Sequence, residues 1–264
     1  MATEIKYDAV ISDIDGVVYK EDVPIWENIE GLKLLQSRGV EISFLTNNAS
    51  TDKEELTKRL TGIGINIDES KITTSGEAAA YYIEKNYGKA KVYVIGERGL
   101  IKELRKRGIE IVSDDEIADF VVIGLDRSVN YEKLSNAVKK IMEGAKIIVT
   151  NMDRLWPSSK GFKIGAGALA KAITYSTGKE PEVVVGKPEK WILNLAINKL
   201  RKRNYVLIIG DQLETDIALG VRNGLDTLLV LTGISNVEDA SKSIYKPKYI
   251  NRNILEFLGS GARI

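Results

Sequence analysis

Strand-sized apolar runs, each halted by acids, amides or glycine, recur along this chain and restrict its fold more than any other feature. Tyr7 to Ser12 stops at Asp13-Ile14-Asp15-Gly16, Val40 to Leu45 stops at Thr46-Asn47-Asn48, and Tyr205 to Gly210 runs into Asp211. Strands buried on both faces of a parallel sheet read as continuous apolar runs of this kind. Between the first two, Trp26, Ile29, Leu32, Leu34 and Leu35 recur near the 3.6 period before Arg38-Gly39, a C-terminal stop signal. Thr51 to Leu60 has the spacing of a second helix, and Ile72 to Thr74 that of a short strand. Such alternation predicts an α/β fold, a doubly wound parallel sheet with helices on both faces.

The alternation continues from about Glu77 to Gly178, where it could build a sheet of its own. Lys91 to Ile95, Ile109 to Val112, Phe120 to Gly124 and Lys146 to Thr150 read as strands; Leu100 to Lys106, Tyr131 to Met142 and Leu169 to Ser176 read as helices. After Val183 to Val185 the opening pattern resumes, with a helix over Asp216 to Val221 and Thr227 to Leu231 as the expected final buried strand. A core in two parts, 1–77 and 180–264, with an insertion at 78–179, follows from this order. With 264 residues, 44% of them apolar, the chain can bury a substantial core. The first residues lack a signal-peptide core, and no apolar run approaches the ~18 residues of a membrane helix. A cytoplasmic protein without membrane contact is expected.

Composition narrows the chemistry. The chain contains no Cys and no His, which removes thiol nucleophiles, imidazole general bases, zinc sites built on Cys or His, and Ser-His-Asp triads. Its 38 basic and 37 acidic side chains leave a net charge of +1, so no broad basic field is available for a nucleic acid. Any catalysis must use carboxylates, Lys, hydroxyls, backbone amides and a hard oxygen-ligated ion.

Ligands of open α/β sheets bind beyond the carboxyl ends of the strands, where Asp13, Asp15, Thr46 and Asp211 would all lie. Gly16 permits a turn that aims Asp13 and Asp15 differently, so one could attack while the other moves protons. Acids at the ends of buried strands call for a cation, and an all-oxygen ligand set favours Mg²⁺. Thr46 offers a hydroxyl, Asn47 and Asn48 offer main-chain amides, and Lys187 in Gly186-Lys187-Pro188 offers a second positive charge. Each segment alone also has an ordinary reading: solvated turn acids, a helix N-cap, a surface lysine. Their joint occurrence points to phosphate handling.

Four segments, Asp13-Ile14-Asp15-Gly16-Val17, Leu45-Thr46-Asn47-Asn48, Gly186-Lys187-Pro188 and Gly210-Asp211-Gln212-Leu213-Glu214-Thr215-Asp216, occur in the order found in the haloacid-dehalogenase-like superfamily of aspartate-dependent phosphatases, which the chain resembles. The insertion resembles the large α/β cap of its NagD-like, p-nitrophenylphosphatase branch, as do Thr150-Asn151-Met152-Asp153 and Gly165-Ala166-Gly167. The resemblance implies a Rossmann-like core with an inserted cap. It implies that Asp13 is the nucleophile and Asp15 the acid and base. Mg²⁺ would sit on Asp13, the Asp15 carbonyl and Asp211, with Asp216 in support, while Thr46, the Asn47 amide and Lys187 hold the phosphoryl group. Asn151 and Asp153 are candidate contacts to the organic part of a small phosphoester. A homodimer through the cap is a further candidate. A phosphotransferase, a dehalogenase and a non-catalytic phospho-accepting module are the competing readings; Asp15 and Asp211 together weigh against dehalogenation. Asp15 weighs against the module, because acid and base help beside a phosphorylated aspartate shortens its life.

Overall fold

Ala9–Ser12, the strand expected from the first apolar run, is buried at every residue and lies in the middle of a six-stranded sheet. The computed structural model describes residues 6–158 and 161–259. They form two units, one of residues 6–46, 56–73 and 193–259, the other of 47–55 and 74–192.

In the six-stranded sheet, Glu41–Thr46 and Val206–Gly210 flank Ala9–Ser12 in parallel. Ile72–Thr74 lies beyond the former, and Asp226–Val230 followed by Tyr249–Asn251 beyond the latter. Ser12 is level with Phe44 and with Ile209, so Asp13, Thr46 and Asp211 leave the sheet at one end. The chain order reverses about Ala9–Ser12, the switch point where such sheets open a crevice. Val10, Phe44, Leu207, Ile209 and Leu228 join Ile29, Leu32 and Leu35 of helix Trp26–Ser37 and Phe257 of helix Ile254–Gly259 in one core. Full burial of a large apolar side chain contributes about 1.5–3 kcal/mol, which fixes the strand ends in place.

Thr227 to Leu231, observed as Asp226–Val230, is the last buried strand, and Tyr249–Asn251, with no buried residue, pairs outside it. That edge strand has three residues and follows Lys246-Pro247-Lys248, too short and polar to carry an apolar-run signal. The helix expected over Asp216 to Val221 begins earlier as a π turn, Leu213–Ile217, before the α-helix Ala218–Arg222.

The second unit has its own parallel sheet, ordered Val183–Val184, Lys146–Val149, Phe120–Ile123, Lys91–Ile95, Glu110–Ile111. Helices Ser75–Tyr87, Arg98–Lys106, Tyr131–Met142 and Ala166–Thr177 accompany it, with Ile95, Val121, Ile123, Ile141, Val149 and Ile173 in its core. Leu155–Ser158 and Gly161–Ile164 pair as an antiparallel hairpin. The architecture is a doubly wound core carrying an inserted α/β domain. Among the described residues no helix is long and apolar enough to cross a membrane.

Candidate active site

Asp13 extends the sheet by one residue beyond Ser12: its N–H donates to the Ile209 carbonyl at 2.9 Å, and its Oδ1 accepts from the Ile14 N–H at 2.8 Å. Asp211 follows Val206–Gly210, and its Oδ2 accepts from the Ile234 N–H at 2.8 Å. Asp216, in the π turn, accepts through Oδ2 from the Gln212 N–H at 3.3 Å. One carboxylate oxygen from each of these three lies within 4.8 Å of the others, on residues only 9%, 3% and 1% exposed. At an effective dielectric of about 20, two ionised oxygens at that separation repel by roughly 3–4 kcal/mol. A hard divalent cation relieves that repulsion, and an all-carboxylate donor set is the kind such ions take.

Asp15 is exposed and its carboxylate stands outside this cluster. The chain turns directly after it at Gly16, whose φ is +82° and whose N–H donates to the Tyr19 carbonyl at 2.7 Å. A Cβ at Gly16 would overlap the Asp211 carboxylate, so glycine both makes the turn and admits the acid beside it. Thr46 is buried as the last residue of Glu41–Thr46.

Asn47, Asn151, Asp153 and Lys187 lie together in the second unit. Val184 pairs with Val149 in parallel, which brings the segments that follow, Gly186-Lys187 and Thr150 to Asp153, to one end of the sheet. The buried Asn47 side chain bridges them. Its Oδ1 accepts from the Lys187 N–H at 2.8 Å and its Nδ2 donates to the Lys187 carbonyl at 3.3 Å. The same Nδ2 faces both Asp153 oxygens, at 3.1 and 3.3 Å. The Asn47 carbonyl accepts from Asn151 Nδ2 at 2.9 Å and from the Ser75 hydroxyl at 2.6 Å. The Asn47 carboxamide and carbonyl are thus engaged inside the unit, and its N–H is the group it has to offer a ligand. Asn48 turns the loop, its Oδ1 accepting from the Ser50 and Thr51 N–H groups at 2.9 and 3.2 Å.

Sequence reasoning did not nominate Asn28, Thr232 or Ser75. Asn28 Nδ2 donates to the Val17 carbonyl at 2.9 Å and to Thr232 Oγ1 at 3.0 Å, while the Thr232 hydroxyl donates to the Gly16 carbonyl at 2.6 Å. They tie the turn after Asp13 to the loop that holds Asp211. The available signal was an amide, Asn28, beside Ile29 on the apolar face of its helix.

The family model for haloacid dehalogenase-like hydrolases matches residues 10–110, and a second one, HAD-hydrolase-like, matches 184–257. An acid sugar phosphatase of Staphylococcus saprophyticus is 36% identical over 253 residues, covering 96% of this chain and 97% of that one. This chain belongs to the haloacid dehalogenase-like hydrolases. Ribonucleotide monophosphatase NagD of Escherichia coli is 36% identical across 94% of this chain and 96% of its own. The solved p-nitrophenyl phosphatase from Archaeoglobus fulgidus has a TM-score of 0.89 at 37% identity, covering 96% of this chain and 99% of that one. Among haloacid dehalogenase-like hydrolases the chain therefore falls in the NagD-like phosphatase branch and is an enzyme. The reading as a non-catalytic module ends there.

Proposed function

We propose that this enzyme is a Mg²⁺-dependent phosphomonoesterase that hydrolyses small phosphorylated metabolites through an aspartyl phosphate. The observation that carries the reading is the buried triad of Asp13, Asp211 and Asp216 at the carboxyl end of the central strands. Asp13 attacks phosphorus as the bond to the leaving oxygen breaks, and Asp15 gives that oxygen its proton. The now ionised Asp15 then takes a proton from water as that water attacks the phosphoaspartate, which releases phosphate and restores Asp13. The exposed position of Asp15, outside the acid cluster, suits a group that must exchange protons.

Thr46, the Asn47 N–H and Lys187 hold the phosphoryl oxygens, and the engagement of every other polar group of Asn47 supports the role of its amide. A Mg²⁺ held by Asp13, the Asp15 carbonyl and Asp211, with Asp216 beside them, would neutralise charge on the carboxylates and the phosphoryl group. Residues 78–179 exclude bulk water and select the leaving group. The acid sugar, ribonucleotide and p-nitrophenyl phosphatases similar to this chain support phosphomonoesters of small alcohols and phenols as the substrate class.

Asp13→Asn should abolish turnover of p-nitrophenyl phosphate while far-UV circular dichroism stays unchanged. Residual turnover near the wild-type rate in that variant rejects the covalent route. A screen of phosphoglycolate, sugar phosphates and nucleotides, with and without Mg²⁺, then identifies the substrate.

A further inference from the structure

We infer that Asp153 is a positioning residue for the phosphate-binding groups of this site, acting through Asn47, and not a contact to the organic part of the substrate. The inference rests on the phosphatase reading above and goes beyond it by separating the residues that hold phosphate from those that hold the holders.

The geometry is a closed ring of hydrogen bonds. Asp153 accepts from Asn47 Nδ2 through both carboxylate oxygens. Its own N–H donates to Asn151 Oδ1 at 3.1 Å, and Asn151 Nδ2 returns to the Asn47 carbonyl. Asn47 in turn clamps the main chain of Lys187 on both its N–H and its carbonyl. Three segments far apart in sequence are held by one carboxamide, and Asp153 supplies the charged acceptor that, with the Lys187 main chain, sets which way that carboxamide points. Without the acceptor, the Asn47 carboxamide loses a charged partner and rests on the Lys187 main chain alone, so both the Asn47 N–H and Lys187 are held less firmly.

Asp153 is itself anchored from behind. Its carbonyl accepts from the Gly167 N–H at 3.0 Å, at the start of helix Ala166–Thr177, and a Cβ at Gly165 would overlap that same carbonyl. The Gly165-Ala166-Gly167 segment is therefore the seat on which Asp153 rests.

A positioning role and a substrate contact make different kinetic signatures. Wild type, Asp153→Ala and Asp153→Asn are compared on p-nitrophenyl phosphate, phosphoglycolate, a hexose phosphate and a nucleoside monophosphate, with inhibition by inorganic phosphate measured on each enzyme. Asp153→Ala should lower kcat/KM by a common factor of about 10–100 on every ester, the range seen when an outer-shell partner is removed. The inhibition constant for inorganic phosphate should rise in step, since phosphate has no organic part. Asp153→Asn keeps the shape and one acceptor oxygen and should recover most of the loss. Where Asp153→Ala does not fold, Asp153→Asn alone decides, through a small uniform loss with weakened phosphate inhibition. Losses confined to particular leaving groups, or unchanged phosphate inhibition, overturn the inference while leaving the phosphatase reading intact. Absence of wild-type turnover on all four esters removes both.

Discussion

The Asp211 carboxylate is hemmed in at close range. It accepts from the Ile234 N–H and lies against Gly16, which carries no Cβ to displace it. Gly16→Ala therefore acts twice. A left-handed φ at a residue with a side chain costs about 1–2 kcal/mol, and the added methyl moves Asp211 away from Asp13 and Asp216. The variant should fold with a stability lower by about that amount in urea titration. Its activity should fall about 10–100-fold and require more Mg²⁺ for half-maximal rate. A variant with the wild-type Mg²⁺ requirement would show that the Gly16 contact does not set the position of Asp211.

The loop that carries Asn47 runs into helix Lys53–Gly62, and the start of that helix is gripped from two sides. Lys53 Nζ lies 3.1 Å from Glu77 of helix Ser75–Tyr87 and 3.7 Å from Glu103 of helix Arg98–Lys106, with all three side chains under a tenth exposed. The Gly99 N–H donates to the Ser50 carbonyl at 3.0 Å. Lys53→Met removes the cation that two buried carboxylates share, leaving Glu77 with Arg107 at 4.0 Å and Glu103 with Lys106 at 3.5 Å, and should cost about 1–3 kcal/mol in chemical denaturation. Adding Glu77→Gln and Glu103→Gln should return part of it, because two buried acids then no longer rely on Arg107 and Lys106 alone. A single variant as stable as wild type would mean that Arg107 and Lys106 alone satisfy the two glutamates. This grip shows where sequence reading ends. The apolar runs before Asp13, Thr46 and Asp211 were legible because burial on both faces leaves an unbroken signal, and the helices because one face is apolar. Lys53 with Glu103, or Asn47 with Asp153, pairs polar side chains 50 and 106 residues apart, and neither pairing leaves a period in the sequence. The Tyr249–Asn251 strand and the π turn at Leu213–Ile217 were hidden for a related reason: each is shorter than the window in which a period can be recognised.

Over the whole chain, the absence of His makes a prediction about pH that most enzymes do not permit. Burial disfavours the charged forms of Glu41, Asp126, Glu182 and Asp226, yet the ammonium groups of Lys71, Lys133, Lys146 and Lys248, together with hydrogen bonds from neighbouring N–H and hydroxyl groups, outweigh it and hold each carboxyl below its ordinary value. For Glu97 the Arg127 guanidinium is the leading cause of a shift in the same direction. Groups of this kind bind fewer protons folded than unfolded, so their stabilisation is present above the ordinary values of 3.8 and 4.5 and is lost as pH falls through the depressed ones. Burial raises Tyr7, Tyr82 and Tyr93 above the ordinary 10.0. Their contribution is intact below that value and is lost as pH rises beyond it. No imidazole titrates between the two limbs. The midpoint of thermal unfolding should therefore fall steeply below about pH 4, where carboxyls of this kind protonate, and stay level from about pH 6 to about pH 9. Asp126→Asn, which removes the partner of Lys133, should lower the plateau and shallow the acid limb together. A midpoint that moves by more than about 5 °C across the expected plateau, equivalent to roughly 1–2 kcal/mol, would require a shifted group that these contacts do not supply. If the plateau is level while turnover changes across it, the titrating group belongs to the phosphoester or to the site that binds it.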